Sequence, residues 1–199
     1  MEIKLLAITP EADKVIEQAG RTCYMSFEKM NASSAEDFIR RIVRAGHESV
    51  LEHAYATFRI RGCSRAMTHQ LVRHRLMGIS QQSQRYVNED AFDYVVPEAM
   101  PAEHLDDYKN DMQIIQKMYE KWKDRGLKRE DARFVLPNAC CSEIVVSANF
   151  REWRHVIRMR TSHKAQWEIR AAAKEILRVL SENSRAVFGD LADEILVDD

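Results

Sequence analysis

Residues 54–61 alternate between two kinds of side chain, and this alternation constrains the fold more than any other feature of the sequence. One side carries small and apolar residues: Ala54, Ala56, Phe58 and Ile60. The other side carries larger or polar residues: Tyr55, Thr57, Arg59 and Arg61. A period of two is typical of a β-strand with one buried face. The chain therefore needs a sheet, with other elements packed against the apolar face.

Helical spacing dominates the rest of the sequence. Apolar residues recur at helical intervals between His104 and Asp124, and Gly126 follows as a stop, so one long helix is predicted there. Asn149 is predicted to cap another helix, with Glu152 three residues later as its capping-box partner. The other predicted helices cover about 10–20, 33–46, 64–75, 129–136 and 164–188. A loop is expected around Gly78.

Three further segments have the composition of strands. Ile3–Ile8 is expected to be a short buried strand, Phe92–Val96 is expected to end at Pro97, and the β-branched segment 143–149 favours a third. A few strands among many helices predict an α+β fold. We expect a single domain over residues 1–199, with a small, mostly antiparallel sheet flanked by helices.

Bulk composition excludes several classes of protein. The 199 residues carry a net charge of −1, with no long apolar run and no secretion signal, so we expect a cytoplasmic protein without a membrane or nucleic-acid partner. The four cysteines, at 23, 63, 140 and 141, lack the CxxC spacing of a metal site and are expected to be reduced thiols. We therefore expect no metal, while a catalytic cysteine stays open as an alternative.

One long stretch of the chain contains no acidic residue. Between Glu52 and Glu89 there is also no lysine, but there are six arginines: Arg59, Arg61, Arg65, Arg73, Arg75 and Arg85. Arginine in place of lysine favours planar, two-pronged recognition of phosphate or carboxylate. The alternative is that these arginines form ion pairs with acids elsewhere in the fold.

A second basic group follows Asn149. On a helix, Arg151, Arg154, His155 and Arg158 share one face, whereas Arg160 points elsewhere. For Arg154 and Arg158 the preferred interpretation is pairing with nearby acids.

The same helical rotation separates Arg73 from Arg75. If both are helical, they cannot reach into one small pocket. Either the helix ends between them, or they contact two ligands, or two subunits meet at this point.

Four blocks of sequence resemble those of one known family. Arg73, His74 and Arg75 are followed, after seven residues, by Ser83, and the pair Arg85-Tyr86 extends the match. The other blocks are GHESVLEH at 46–53, ARFVLP at 132–137, and NFREWRHVIRMR with AQWEIR between 149 and 170. By these blocks, in this order, the chain resembles the flavin-dependent (alternative) thymidylate synthases.

The resemblance implies an enzyme that makes dTMP from dUMP. In that family 5,10-methylenetetrahydrofolate donates the carbon, FAD reduced by NADPH supplies the hydride, and homotetramers hold FAD and dUMP between subunits. By position, the implied FAD contacts are Ser49, Arg73, His74, Arg75, Gln81, Asn149, Arg151 and His155. The implied dUMP contacts are Gln70, Arg73, Gln81, Ser83, Arg85, Arg133 and Arg160.

Two of these residues have implied catalytic roles. Arg160 matches the arginine placed against the uracil ring, where a guanidinium can stabilise developing negative charge. Ser83 matches a dUMP-binding position, and a serine nucleophile would need an activating base. Because His74 is nine residues away and is expected to face the flavin, Ser83 is expected to position dUMP without forming a covalent bond.

Two other functions stay open. A module that binds single-stranded nucleic acid could use these arginines with Tyr55, Phe58 and Tyr86. The net charge of −1 and the absence of lysine around the motif weigh against it. The second alternative is a relative of the family that binds flavin and catalyses no reaction.

Overall fold

A four-stranded antiparallel sheet and a larger set of helices make up the fold of the computed structural model, which describes residues 1–197. The strands are β1 (Glu2–Ile8), β2 (Tyr55–Ser64), β3 (Gly78–Gln81) and β4 (Cys141–Asn149). They lie side by side in the order β1-β2-β4-β3. The predicted α+β class is therefore confirmed. Asp198 and Asp199, which belong to the predicted domain, lie outside the described residues.

Eight α-helices lie within residues 1–197. They are α1 (Ala12–Thr22), α2 (Ser34–Arg44), α3 (Arg65–Leu71), α4 (Leu105–Asp124), α5 (Arg129–Ala132), α6 (Phe150–Arg160), α7 (Trp167–Asn183) and α8 (Arg185–Ile195). Short 3-10 turns cover Phe27–Lys29, Glu48–His53, Ala102–His104 and Arg133–Val135. In this described part of the chain, no helix combines the length and the apolar character needed to span a bilayer.

The described chain divides into two compact units. The first unit contains residues 1–2, 60–73 and 80–144, and therefore α3, α4 and α5. The second unit contains residues 3–59, 74–79 and those from Val145 on, and therefore α1, α2, α6, α7 and α8. That one domain covers residues 1–199 stays a prediction.

Aromatic packing fixes α6 within the second unit. The Trp153 ring is fully buried and meets the Phe58 ring edge-on, with 5.2 Å between centroids. Trp153 Nε1 also donates to the carbonyl of Ala56 at 3.0 Å. Burying an aromatic ring of this size stabilises the fold by about 1.5–3 kcal/mol. The helix is therefore held by both its apolar face and a directed hydrogen bond.

The core of the first unit forms around α4. Phe92, Met112 and Cys140 are buried together, and Tyr94 and Tyr108 pack against them. The predicted strand over Phe92–Val96 is wrong, because only Tyr94 makes an isolated antiparallel bridge, to Cys140. Pro97 has no N–H to extend such a ladder, and the aromatic side chains pack into the core instead.

Several local patterns predicted their elements correctly. The alternating segment is β2, and its apolar residues Ala54, Ala56, Phe58 and Ile60 are all buried. The long helix is α4, and Gly126 follows its end with a positive φ of 93°. Glycine adopts that backbone conformation without steric cost, which is why the helix stops there. The segment 143–149 lies in β4, as predicted.

Other boundaries differ from the prediction. The third helix ends at Leu71 rather than near Arg75, and Gly78 begins strand β3 rather than a loop. Strand β3 pairs with β4, and a hydrogen bond from Gln82 N to Glu143 O at 2.8 Å continues this pairing. The pairing outweighs the local preference of this segment for a helix. β1 lies at one edge of the sheet and, contrary to the prediction, contains no buried residue.

The predicted last helix is two helices. Ser184 separates α7 from α8, since its backbone is extended, with φ −151° and ψ 82°. Its hydroxyl donates to the carboxylate of Asp13. This contact joins positions 171 residues apart, so no local pattern could have indicated the break.

Candidate functional site

The side chain of Asn149 caps α6 at the point where β4 ends. Asn149 Oδ1 accepts from Glu152 N at 2.8 Å, which confirms the predicted cap. The predicted capping box is only half formed. Within residues 1–197, the Glu152 carboxylate does not return to the Asn149 N–H but faces His74, with 3.9 Å between Oε1 and His74 Nδ1. Burial beside an imidazole replaces the usual capping contact.

Arg160 and His74 meet in the second unit. Arg160 Nε donates to His74 Nε2 at 2.8 Å, and the residues are 86 positions apart in the sequence. His74 is buried, with 6% of its surface exposed. Burial, reinforced by the positive charges of Arg160 and His155, lowers the pKa of His74 to about 4. The imidazole is therefore neutral near pH 7 and accepts a hydrogen bond from the guanidinium.

His155 completes a cluster with His74 and Glu152. The two imidazole rings lie edge to face, 5.9 Å apart, and His155 is exposed. Ligand atoms of the three residues lie within 4.8 Å of one another, so the cluster has the composition of a divalent cation site. However, His74 Nε2 already accepts from Arg160, and burial raises the pKa of the Glu152 carboxyl. A cation at this cluster would therefore have to compete with the Arg160 guanidinium for His74 Nε2.

Other predicted flavin contacts in the second unit lie at α6 and at the turn Glu48–His53. Arg151 Nη1 forms an ion pair with Glu52 at 2.5 Å, and both side chains are about half exposed. Ser49 is exposed on the same turn as Glu52. This exposed ion pair is one of the links between the GHESVLEH block and the NFREWRHVIRMR block.

Arg73 and Arg75 lie in the turn that follows α3. Both side chains are exposed, and among residues 1–197 neither has a hydrogen-bond or ion-pair partner. If both were helical, Arg73 and Arg75 would point in different directions. That condition is not met, because α3 ends before both of them, at Leu71. Two guanidinium groups without protein partners are available for anionic ligands.

In the first unit, the side chain of Gln81 is fixed by hydroxyl groups. Its Nε2 donates to Thr68 Oγ1 at 3.0 Å and to Ser142 Oγ at 3.1 Å. Both amide hydrogens are thus used, and the carbonyl oxygen of Gln81 accepts no bond from the described residues. Gln70 lies on α3 and donates to the carbonyl of Ala66 at 3.4 Å. No local pattern indicated that Thr68 and Ser142 would orient Gln81, because both are distant from it in the chain.

Glu130 connects two predicted dUMP contacts in the same unit. Arg85 Nε forms an ion pair with its carboxylate at 2.9 Å, and Arg133 Nε donates to its backbone carbonyl at 3.1 Å. Ser83 Oγ accepts from Arg85 N at 3.3 Å. In the described chain no His, Asp or Glu side chain is bonded to Ser83 Oγ. The arrangement can bind an anion, and it shows no base that would activate the serine.

Arg154 and Arg158 pair with acidic side chains, as predicted from the sequence for these two residues. Arg154 binds Glu48 at 3.2 Å and Asp190 at 2.6 Å, and Arg158 binds Glu48 at 3.1 Å. Arg154 is fully buried rather than on a solvated face. In the first arginine group, Arg61 lies 4.0 Å from Glu143. Pairing therefore explains part of each group, but not Arg73 or Arg75.

Comparison with known proteins gives a consistent result. The model of the Thy1 family, thymidylate synthase complementing protein, matches residues 4–184. A flavin-dependent thymidylate synthase of Geobacter sulfurreducens is 44% identical over 200 residues, covering 96% of this chain and 86% of that protein. Another, of Corynebacterium efficiens, is 40% identical over 206 residues, covering 94% and 82%.

The same family appears among solved structures. The flavin-dependent thymidylate synthase of Helicobacter pylori, solved in complex with FAD and dUMP, has a TM-score of 0.80 and 25% sequence identity. The match covers 96% of this chain and 99% of that chain. Because the family model and these relatives cover nearly the whole sequence, the chain belongs to the Thy1 family, the flavin-dependent thymidylate synthases.

Proposed function

We propose that this chain is an FAD-dependent thymidylate synthase that converts dUMP to dTMP. The carbon comes from 5,10-methylenetetrahydrofolate, and bound FAD, reduced by NADPH, supplies the hydride. Family membership supports the activity, and the relatives named above carry the same enzyme name.

The observation that carries the proposal is the contact between Arg160 and His74. His74 is the centre of the Arg-His-Arg motif, and Arg160 ends the NFREWRHVIRMR block. Their side chains meet at 2.8 Å although 86 positions separate them. A pure folding contact could use any polar pair, whereas this one joins two motif blocks that the family resemblance assigns to one active site.

The side chains of the second unit fit a flavin dinucleotide. Guanidinium groups are favourable donors to a pyrophosphate, and Arg75 has no protein partner in the described chain. Among residues 1–197, Arg151 is held only by an exposed ion pair, which costs little to exchange. Asn149, His155 and Ser49 offer polar groups that suit the edge of a flavin ring. Arg73, in the first unit, is a further exposed donor.

The side chains of the first unit fit a nucleoside monophosphate. Arg85 and Arg133 supply guanidinium groups around Glu130, and each charge-assisted bond to a phosphate contributes about 1.5–3 kcal/mol. Gln81 presents a carbonyl oxygen whose direction is fixed by Thr68 and Ser142. Gln70 and Ser83 complete the proposed set of dUMP contacts.

Arg160 is proposed to activate the uracil ring. A guanidinium against N3 and the adjoining carbonyl stabilises the negative charge that develops when carbon 5 becomes nucleophilic. Ser83 is proposed to orient dUMP by hydrogen bonding and to form no covalent bond. The absence of a bonded base at Ser83 Oγ in the described chain supports that assignment.

The proposal includes an assembly and a location. The family resemblance implies a homotetramer with FAD and dUMP held between subunits. Arg73 and Arg75 are exposed, which supports a role in binding anionic ligands rather than in pairing with acidic side chains of the same chain. We also propose that the enzyme acts in the cytoplasm.

Two measurements test the proposed function. Purified protein should be yellow and should bleach when NADPH is added under anaerobic conditions. Tritium should be released from carbon-5-labelled dUMP in a reaction that requires methylenetetrahydrofolate for dTMP formation. A yellow protein that releases no tritium would be a binding-only relative. A colourless protein that retards oligonucleotides in a gel would instead support the nucleic-acid alternative.

A further inference from the structure

We infer that Glu152 is a positioning residue that stabilises the Nδ1-protonated tautomer of His74 and, through His74, the direction of the Arg160 guanidinium. The effect on turnover rests on the proposed function, whereas the effect on the imidazole can be measured without it. Neither the motif blocks nor the implied ligand contacts assign a role to Glu152 beyond capping α6.

The tautomer of His74 follows from its partner. The guanidinium of Arg160 is always protonated, and its Nε can only donate. His74 Nε2, 2.8 Å away, must therefore present a lone pair. A neutral imidazole has one N–H, so its proton lies on Nδ1. His74 thus has its proton on the side that faces Glu152.

Glu152 favours that tautomer through its position. Its carboxylate Oε1 lies 3.9 Å from His74 Nδ1, with 4% of the His74 side chain and 9% of the Glu152 side chain exposed. At this distance, away from water, a carboxylate attracts the N–H dipole, and a small movement would close a hydrogen bond. The other tautomer would place two N–H donors against each other at Nε2 and Arg160 Nε.

His74 in turn fixes the direction of Arg160. A guanidinium is planar, and Nε lies in that plane together with both terminal nitrogens. A hydrogen bond at Nε therefore restricts the orientation of the whole group. Carboxylate–histidine pairs of this kind orient functional groups in other proteins, and removing the outer residue lowers activity without removing the functional group.

The direct test is the tautomer of His74, measured by NMR from its ring-nitrogen chemical shifts in histidine-labelled, full-length protein near neutral pH. His74→Asn identifies the signal. The wild type should carry the proton on Nδ1. In Glu152→Gln, a larger fraction of His74 should carry its proton on Nε2. In Glu152→Asp, which keeps the negative charge, that fraction should be closer to the wild-type value. Glu152→Met removes the charge without adding a polar group and serves if Glu152→Gln does not fold.

Kinetics provide the second readout. With Glu152→Gln, kcat for tritium release should fall about tenfold, which is typical when a residue that orients a functional side chain is removed. The KM for dUMP and the FAD content should change less than twofold. Glu17→Gln is the control, because Glu17 is a buried carboxylate of the same unit whose partners are Arg21 and Ser34. That variant should lose thermal stability and keep the wild-type tautomer and kcat.

Two results would overturn the inference. One is a wild-type His74 that carries its proton on Nε2. The other is a Glu152→Gln or Glu152→Met protein whose His74 tautomer is that of the wild type. A wild-type protein that makes no dTMP would refute the proposed function, and the ring-nitrogen shifts would still decide the role of Glu152.

Discussion

The guanidinium of Arg154 forms two hydrogen bonds with the carboxylate of Asp190, at 2.7 and 2.6 Å, while no part of the arginine side chain reaches solvent. Its Nη1 also donates to the carbonyl of Val187. These contacts hold α6 against α8 inside the second unit. Although burial alone would raise the pKa of Asp190, Arg154 holds it below its usual value.

Asp190→Asn should therefore lower the free energy of unfolding by about 1.5–3 kcal/mol, the typical contribution of a hydrogen bond to a charged group. Urea denaturation at neutral pH measures the change. The control is Asp193→Asn on the same helix, whose partner Arg185 is exposed, so its effect should stay within about 1 kcal/mol. Equal effects of the two variants would contradict the importance of the buried pair.

Protonation of His74 should make the fold pH-dependent. The pKa of His74 is about 4 in the folded chain and 6.5 in the unfolded chain. As pH falls below 6.5, the unfolded chain binds the proton first, so stability decreases down to about pH 4 by roughly 3 kcal/mol at most. Denaturation at several pH values in this window should show a shallower slope for His74→Asn. An unchanged slope would rule out His74 as the source.

Arg160→Ala should raise the barrier of the proposed reaction by roughly 3–4 kcal/mol, as removal of an oxyanion donor does. Tritium release from labelled dUMP measures the loss in kcat. Arg158→Ala is the matched control. Arg158 lies on α6 two positions before Arg160 and pairs with Glu48, so its removal should leave kcat within twofold. A wild-type kcat in Arg160→Ala would show that the assigned role is wrong.

Ser83→Ala should reduce turnover and still form measurable dTMP, because the hydroxyl is proposed to orient the nucleotide. The loss of a single neutral hydrogen bond corresponds to about 0.5–1.5 kcal/mol. Product formation is followed by chromatography, and dUMP affinity by equilibrium titration. Complete loss of product with unchanged dUMP binding would instead indicate a nucleophilic serine.

The cysteines should differ sharply in reactivity. Burial, with the negative charge of Glu89 nearby, raises the pKa of Cys140 to about 12, whereas Cys23 is exposed. Thiol labelling near neutral pH, followed by mass spectrometry, should modify Cys23 first and leave Cys140 unmodified. Cys140→Ala should retain tritium release. Loss of that activity in a folded Cys140→Ala protein would revive the alternative of a catalytic cysteine.

Local patterns in the sequence predicted much of the fold. The alternation of Ala56, Phe58 and Ile60 and the Gly126 stop each depend on neighbours within a few residues, and both are confirmed. The break at Ser184 depends on Asp13, at the opposite end of the chain. Sequence periodicity contains no information on such a contact, so α7 and α8 were predicted as one helix.

The candidate site divides in the same way. The Asn149 cap could be predicted, because its acceptor and donor are three residues apart. The direction of the Glu152 side chain could not, because it depends on His74, which belongs to a different segment. Likewise, nothing near Arg85 indicated that Glu130 would be its partner. Family resemblance supplied the candidate residues, but only the structure shows which of them touch.

No linker separates β4 from α6, because Asn149 ends the strand and Phe150 begins the helix. With Trp153 anchored to Ala56, this junction has no hinge about which Arg151, His155 or Arg160 could swing together. These groups are therefore preorganised before any ligand arrives. The ligand binding proposed at this helix should lose little backbone entropy, so its affinity should depend on charge and shape.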